Sequence, residues 1–291
     1  MVATIKIKLN AIMTNYQVRQ AAHPDDVKNY DTKKLREHFL FNNVMKADEV
    51  NIVYSLYDRV LAGGAVPVKT KLQLESIEPL RANFFLERRE IGIVNVGGSG
   101  KVTVDGEEFP LNYKEALYIG KGKKAVFFHS DNAENPAKFY FLSAPAHKEC
   151  PTVKVTLADA KKMHLGTLET SNERTINQLL ISPKVEVCQL QMGMTELAPG
   201  SVWNTMPAHV HDRRMEWYFY FEVPQDQAIC HFMGQSDETR HIWMHNEEAV
   251  VSPNWSIHSA AGTVNYAFIW GMAGENLDYG DVDSTPVNQM K

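Results

Sequence analysis

A chain of 291 residues, 44% hydrophobic and 22% charged, has the proportions of a soluble globular protein and can bury one large or two medium cores. A net charge of −5 without any Lys/Arg-rich block excludes a nucleic-acid-binding surface, and no apolar run reaches the roughly 18 residues of a membrane helix. Three widely spaced cysteines, Cys150, Cys188 and Cys230, without a CxxC pair, read as reduced thiols of a cytosolic protein rather than a disulfide framework.

The opening "MVATIKIKLNAIM" lacks a continuous apolar stretch and an A-x-A cleavage site, so no signal peptide is expected, and residues 1–15 are read as an extension without a fold role. "DTKKLREHFLF" predicts a helix capped by Asp31 or Thr32. Short β-branched and aromatic runs follow: "EIGIVNVGG", "GKVTVDGEEF", "EALYIGKG", "AVFFHS" and "KFYFLSA". "TLADAKKM" predicts a second, short helix. After it come "KVEVCQLQMGMTEL", "WYFYFEV", "AICHFMG", "EAVVSP" and "YAFIWGM". Many short strands with few helices favour an all-β sandwich or barrel over alternating βαβ units. The glycines of "GGSGKVTVDG" lead into a strand, so they form a hairpin turn and not a phosphate loop.

The chain also echoes itself. "EALYIGKGKKAVFF" from Glu115 and "EAVVSPNWSIHSAA" from Glu248 share an opening and a turn, and each is preceded by a glutamate in apolar surroundings, Glu87 and Glu216. Two β-domains of one type explain this, spanning 16–150 and 176–291 and joined by a linker with a short helix over 151–175. Counting back from Glu216 reaches His211 and His209, whereas the same steps from Glu87 reach Ala82 and Leu80. Counting on from Glu248 reaches His258, and from Glu115 it reaches Ala125. Only the second copy has a full donor set.

That set lies in "PAHVHDRRMEWYFYF" and "PNWSIH". In extended backbone, residues i and i+2 share a face, so His209 and His211 project together, as do Glu216, Tyr218 and Tyr220. Burying imidazoles and a carboxylate without partners is costly, so either a metal or a hydrogen-bond network must compensate them. Three histidines and one carboxylate suit Zn(II), Fe(II), Mn(II) or Ni(II). His23, His38, His129, His147, His164 and His231 lack partner spacing and read as surface or satisfied interior groups. His241 and His245, four apart on a strand, stay open as site residues.

The pattern resembles the cupin superfamily, whose paired motifs supply HxH plus Glu from one strand pair and a last His from another. It is closer still to the 5-keto-4-deoxyuronate isomerase family of bicupins. The stretches that carry this likeness include "FFLERREIGIVNVGGSGKVTVDG", "TSNERTIN", "LAPGSVWNTMPAHVHDRRMEWYFYF", "MGQSDETRHIWMHNEEAVVSPNWSIHS" and "FIWGMAGEN", within about Tyr16 to Gly280. The resemblance implies two jelly-roll-like barrels and one divalent ion per subunit, zinc, held by His209, His211, Glu216 and His258. It also implies a cytoplasmic homohexamer in pectin and uronate breakdown, acting on an open-chain keto-uronate. Isomerisation through an enediol needs a proton carrier, for which Tyr218, His241 and His245 are candidates. It also needs a cation for the substrate carboxylate, for which Arg174, Arg213, Arg214 and Arg240 are candidates. An Fe(II) cupin dioxygenase and a non-catalytic sugar-binding cupin remain as competing readings.

Overall fold

The computed structural model describes residues 14–291. The chain builds the same assembly twice, a seven-stranded sheet facing a four-stranded one. In the first copy the large sheet runs Thr14–Arg19, Val50–Ser55, Leu61–Ala65, Phe139–Pro145, Arg89–Asn95, Ala116–Ile119 and Val153–Val155. In the second it runs Lys161–Leu165, Arg174–Leu180, Gln191–Leu197, Ala267–Gly274, Arg214–Phe221, Glu248–Ser252 and Leu40–Phe41. The all-β class and the paired barrels are therefore as the strand signals indicate. The copies also exchange material: Leu40–Phe41, from the N-terminal half, closes the edge of the second sheet by pairing with Val250 and Ala249.

The two large sheets pack back to back. Every residue of Arg214–Phe221 is buried because the strand is covered on both faces. Trp217 and Phe219 sit in the seam between barrels, where Phe219 stacks on Tyr140 with ring centroids 4.3 Å apart. Glu216, Tyr218 and Tyr220 take the alternate face, into the second barrel. Close approach of the sheets requires Gly92 and Gly271, since a Cβ would strike Met192 at the first and Leu142 at the second.

Several sequence expectations shift. The helix over Thr32–Phe39 forms, with the Asp31 carboxylate accepting from Lys34 N at 2.8 Å. "TLADAKKM" is instead a turn running into the strand Lys161–Leu165, because a segment this short cannot nucleate a helix against strand pairing. The supposed linker thus contributes a strand to each barrel, Val153–Val155 and Lys161–Leu165. "KVEVCQLQMGMTEL" is strand only over Gln191–Leu197. Just before it, the amides of Cys188, Gln189 and Leu190 turn to the buried Glu90 carboxylate at 2.7–2.8 Å rather than to a neighbouring strand. Of the N-terminal extension, Thr14 and Asn15 do have a fold role, pairing with Val50 and Asn51, while its first 13 residues lie outside the described ones.

Strand register also corrects the correspondence between the halves. Lys114 N donates to Asn95 O at 2.7 Å as Glu247 N donates to Tyr220 O at 2.8 Å, so Asn95 matches Tyr220. Four residues back along each strand, Glu216 then matches Ile91 and not Glu87. Phe128 pairs with Val102, two residues before the hairpin turn; His258 lies one step beyond the Ser259–Phe232 pair, at the equivalent place. Its counterpart is therefore Phe128, not Ala125. Glu87 sits in the preceding turn, half-buried, with its carboxylate accepting from Asn83 N. Counting failed because the connections differ in length: from Tyr220 to Glu248 is longer than from Asn95 to Glu115, and from Glu248 to His258 is shorter than from Glu115 to Phe128.

Candidate metal centre

His209 lies in the two-residue strand His209–Val210, held by pairing with Asp283–Ser284 of the C-terminal tail. His211 follows it, and Glu216 is the third residue of Arg214–Phe221. His258 comes directly after a turn closed by Ser256 N to Pro253 O at 2.9 Å. These elements bring four side-chain donors to one point. His209 Nε2 is 3.1 Å from both His211 Nε2 and His258 Nε2, which are 3.2 Å from each other. Glu216 Oε2 lies 3.0 Å from His211 Nε2 and 2.9 Å from His258 Nε2. The His209–Glu216 pair is wider, yet all four donors fall within 4.8 Å.

This spacing fits a divalent cation. Ligands about 2.1 Å from an ion and at right angles to each other stand about 3.0 Å apart. Five short donor pairs and one long one describe four corners of an octahedron. As a hydrogen-bond network the arrangement is poor: three imidazole nitrogens aimed at one another cannot all be donors and acceptors at once. His211 and His258 are 4% and 1% exposed, so bulk solvent does little to satisfy them.

The electrostatics agree. Burial, then His258 and His211, lower His209 to about 2, holding its imidazole neutral as a ligand must be. Burial alone would raise Glu216, but the imidazoles of His258 and His211 overturn that, so its carboxylate stays well below the usual range and ionised.

Around these donors lies a cavity of about 290 Å³. Its walls are largely apolar, from Met163, Ile176, Phe268 and Trp270, with Arg174, Thr205, Tyr218 and Tyr279 as polar groups. Among the candidate cations, only Arg174 lines it; its Nη1 donates to Asn172 O at 2.8 Å. Arg213 and Arg214 face away from it, toward the tail. Arg213 Nε donates to Asp281 Oδ2 at 2.6 Å, and Arg214 Nη2 donates to the Asp281 carbonyl at 2.7 Å. That same carbonyl is 3.2 Å from His211 Nδ1 and can accept its proton, which leaves Nε2 toward the other donors. Arg214 Nη2 also stands 3.2 Å from that Nδ1. Arg240 is taken by Glu238 at 2.7 Å and by the Lys28 carbonyl, on the outer sheet.

Of the proton-carrier candidates, Tyr218 lines the cavity and is 3% exposed. Burial, then Glu216, push its hydroxyl well above the ordinary value, so it is a neutral phenol. His241 and His245 are exposed on the strand Glu238–Met244 and just past it, outside the cavity lining. Their spacing puts them on one face, but that face is the solvent side. His231 is fully buried, with Nδ1 2.8 Å from Tyr220 Oη. Sequence reasoning passed over Thr205, Tyr279 and Asp281, which come from irregular backbone and from a tail whose approach no periodicity reveals.

Comparison with known proteins places this geometry. A profile of the KduI/IolB family matches residues 39–286. The chain is 62% identical over 278 residues to a 4-deoxy-L-threo-5-hexosulose-uronate ketol-isomerase of Bacteroides fragilis, covering 96% of this chain and 99% of that one. It is 53% identical to the enzyme of that name from Lachnospira eligens, covering 94% and 100%. Among solved structures, an IolB-like protein of Salmonella typhimurium superposes with a TM-score of 0.63 at 16% identity, over 78% of this chain and 87% of that one. An oxalate decarboxylase of Bacillus subtilis, described with Mn(II) centres, gives 0.52 at 11% identity, over 77% and 71%. These structural likenesses establish the cupin-type fold alone. The matched span and the relatives' identity go further: the chain belongs to the KduI/IolB family and is an enzyme of the ketol-isomerase class.

Proposed function

We propose that this chain is a divalent-metal-dependent isomerase that converts 4-deoxy-L-threo-5-hexosulose uronate to 3-deoxy-D-glycero-2,5-hexodiulosonate in uronate catabolism. The observation that carries the reading is a four-donor cluster opening on a cavity whose lining includes one guanidinium, Arg174. At about 290 Å³ the cavity is at the small end of ligand pockets, suited to a single sugar acid.

In the reaction the C2–H bond breaks, a C1–H bond forms, and the C2 hydroxyl proton passes to the C1 oxygen, so nothing is gained or lost. His209, His211, Glu216 and His258 would hold one ion, with zinc the choice suited to three imidazoles and a carboxylate. Bound there, a divalent ion supplies Lewis-acid stabilisation for charge developing on the two neighbouring oxygens. Arg174 anchors the substrate carboxylate in bidentate fashion. Tyr218, neutral at its Oη, gives its proton to the C1 oxygen as its own oxygen takes the C2–H proton, forming the enediol. It then gives that proton to C1 as it takes the C2 hydroxyl proton, so the phenol ends as it began. The apolar walls keep bulk water from that charge.

No helix among the described residues is long and apolar enough to cross a membrane. A cytoplasmic homo-oligomer, a hexamer, is part of the same proposal. The edge strands Thr14–Arg19 and Lys161–Leu165, with exposed Tyr16, Val18 and Leu165, support an assembly that covers them. The test is incubation of purified protein with the keto-uronate under nitrogen in deuterated water, followed by proton NMR. Conversion to the ketose without oxygen is expected. Turnover that requires oxygen would favour a dioxygenase, and binding without turnover a sugar-binding module; either overturns the proposal.

A further inference from the structure

Thr205 has a backbone φ of 47°, in the left-handed region that a β-branched residue tolerates worst. Such strain persists only where the surroundings impose it, and it concentrates at working sites. Here they do impose it. The preceding Asn204 is paired with Ala260, its carbonyl accepts from Ser259 Oγ at 2.8 Å, and its side chain donates to Tyr266 Oη at 2.7 Å. The outcome is a threonine on the cavity wall with its Oγ1 2.9 Å from Tyr218 Oη.

The protons can be counted. Two hydroxyls carry two protons, and the bond between them uses one. Among the described residues neither hydroxyl has another hydrogen-bond partner, so one O–H is left for a ligand in the cavity. Glycine would adopt this backbone without strain, and valine would keep the shape. Only threonine or serine brings the hydroxyl.

We propose that Thr205 is a positioning residue for the isomerisation, its hydroxyl setting the direction in which Tyr218 presents its own to the substrate. This rests on the isomerase reading above.

The test uses the full-length, metal-loaded protein and the variants Thr205→Ser, Thr205→Val and Thr205→Gly, with Tyr218→Phe alone and combined with Thr205→Val. In the valine and glycine variants kcat is expected to fall between about tenfold and about a hundredfold, as for a mispositioned reacting group, with KM and metal content unchanged. Serine should restore kcat. Glycine should melt at or above the wild-type Tm, so stability and activity move in opposite directions. The double variant should be no slower than Tyr218→Phe, since the two hydroxyls act as one unit. Wild-type kcat in the valine or glycine variant, a serine variant as slow as valine, or metal loss common to valine and glycine would each overturn the proposal. So would a glycine variant that melts lower. A wild-type protein that turns over no keto-uronate would instead sink the isomerase reading itself.

Discussion

The two barrels share a frame and differ in what fills it. Where the second barrel has Glu216 and His258, the first has Ile91 and Phe128, both fully buried. The first interior is closed by an apolar cluster that includes Ile93, Phe139 and Phe141. In the second, the corresponding space holds four donors, Tyr218 and a cavity. Among the described residues the first barrel brings no such donor cluster together, and its contribution to the site is indirect. Its Asp58 carboxylate accepts from Met215 N at 3.0 Å, next to the start of the Glu216 strand, and its large sheet packs behind that strand. Chemistry here is a matter of filling, because the same strand pairing supports either an oily core or a polar centre.

Making the second barrel resemble the first should have the largest effect. Glu216→Ile combined with His258→Phe should abolish metal binding and lower turnover by more than about a hundredfold, beyond what outer groups typically contribute. Circular dichroism should show the fold retained, since buried ionic groups can give way to apolar ones without loss of stability. Next comes Arg213→Ala, which leaves the Asp281 carboxylate with Asn276 as its remaining side-chain donor and loosens the carbonyl beside His211. Metal affinity, measured by competition with a chelator, should weaken by about ten- to a hundredfold while the melting temperature barely moves.

A smaller effect separates the interiors by pH. Burial lowers His231, in the second barrel, from 6.5 to about 3. Between those values the unfolded chain binds a proton that the folded chain refuses, so stability falls as pH drops through that window. The slope from this one group is at most about 1.4 kcal/mol per pH unit. Urea titrations from pH 7 to pH 4 should show it, and His231→Phe should flatten it. The smallest effect is none at all: Glu87→Gln should leave metal content and turnover unchanged, as metal analysis and a rate assay would record. Loss of metal there would break the comparison.

Much of this was legible in the sequence, for identifiable reasons. HxH in extended backbone and a glutamate on an alternating strand obey a two-residue period, so their shared face follows from the residues themselves. The strand content follows from β-branched and aromatic runs between turn residues. The correspondence of Glu216 with Ile91 was hidden, because unequal connections shift the count while register depends on backbone pairing. Arg213 and Arg214 looked free to bind an anion, since their partner Asp281 lies far along the chain. His241 and His245 shared a face, but periodicity does not say which face meets solvent. Thr205 was out of reach because its role rests on a backbone angle that tertiary contacts impose.

The direct test of a single working centre is a metal titration. Protein stripped by exhaustive chelation should have no turnover, and added zinc should restore it linearly up to one ion per chain, after which the rate stays flat. Full turnover in the stripped protein, or a rate that climbs until two ions are bound, would contradict a reaction that depends on one ion at His209, His211, Glu216 and His258.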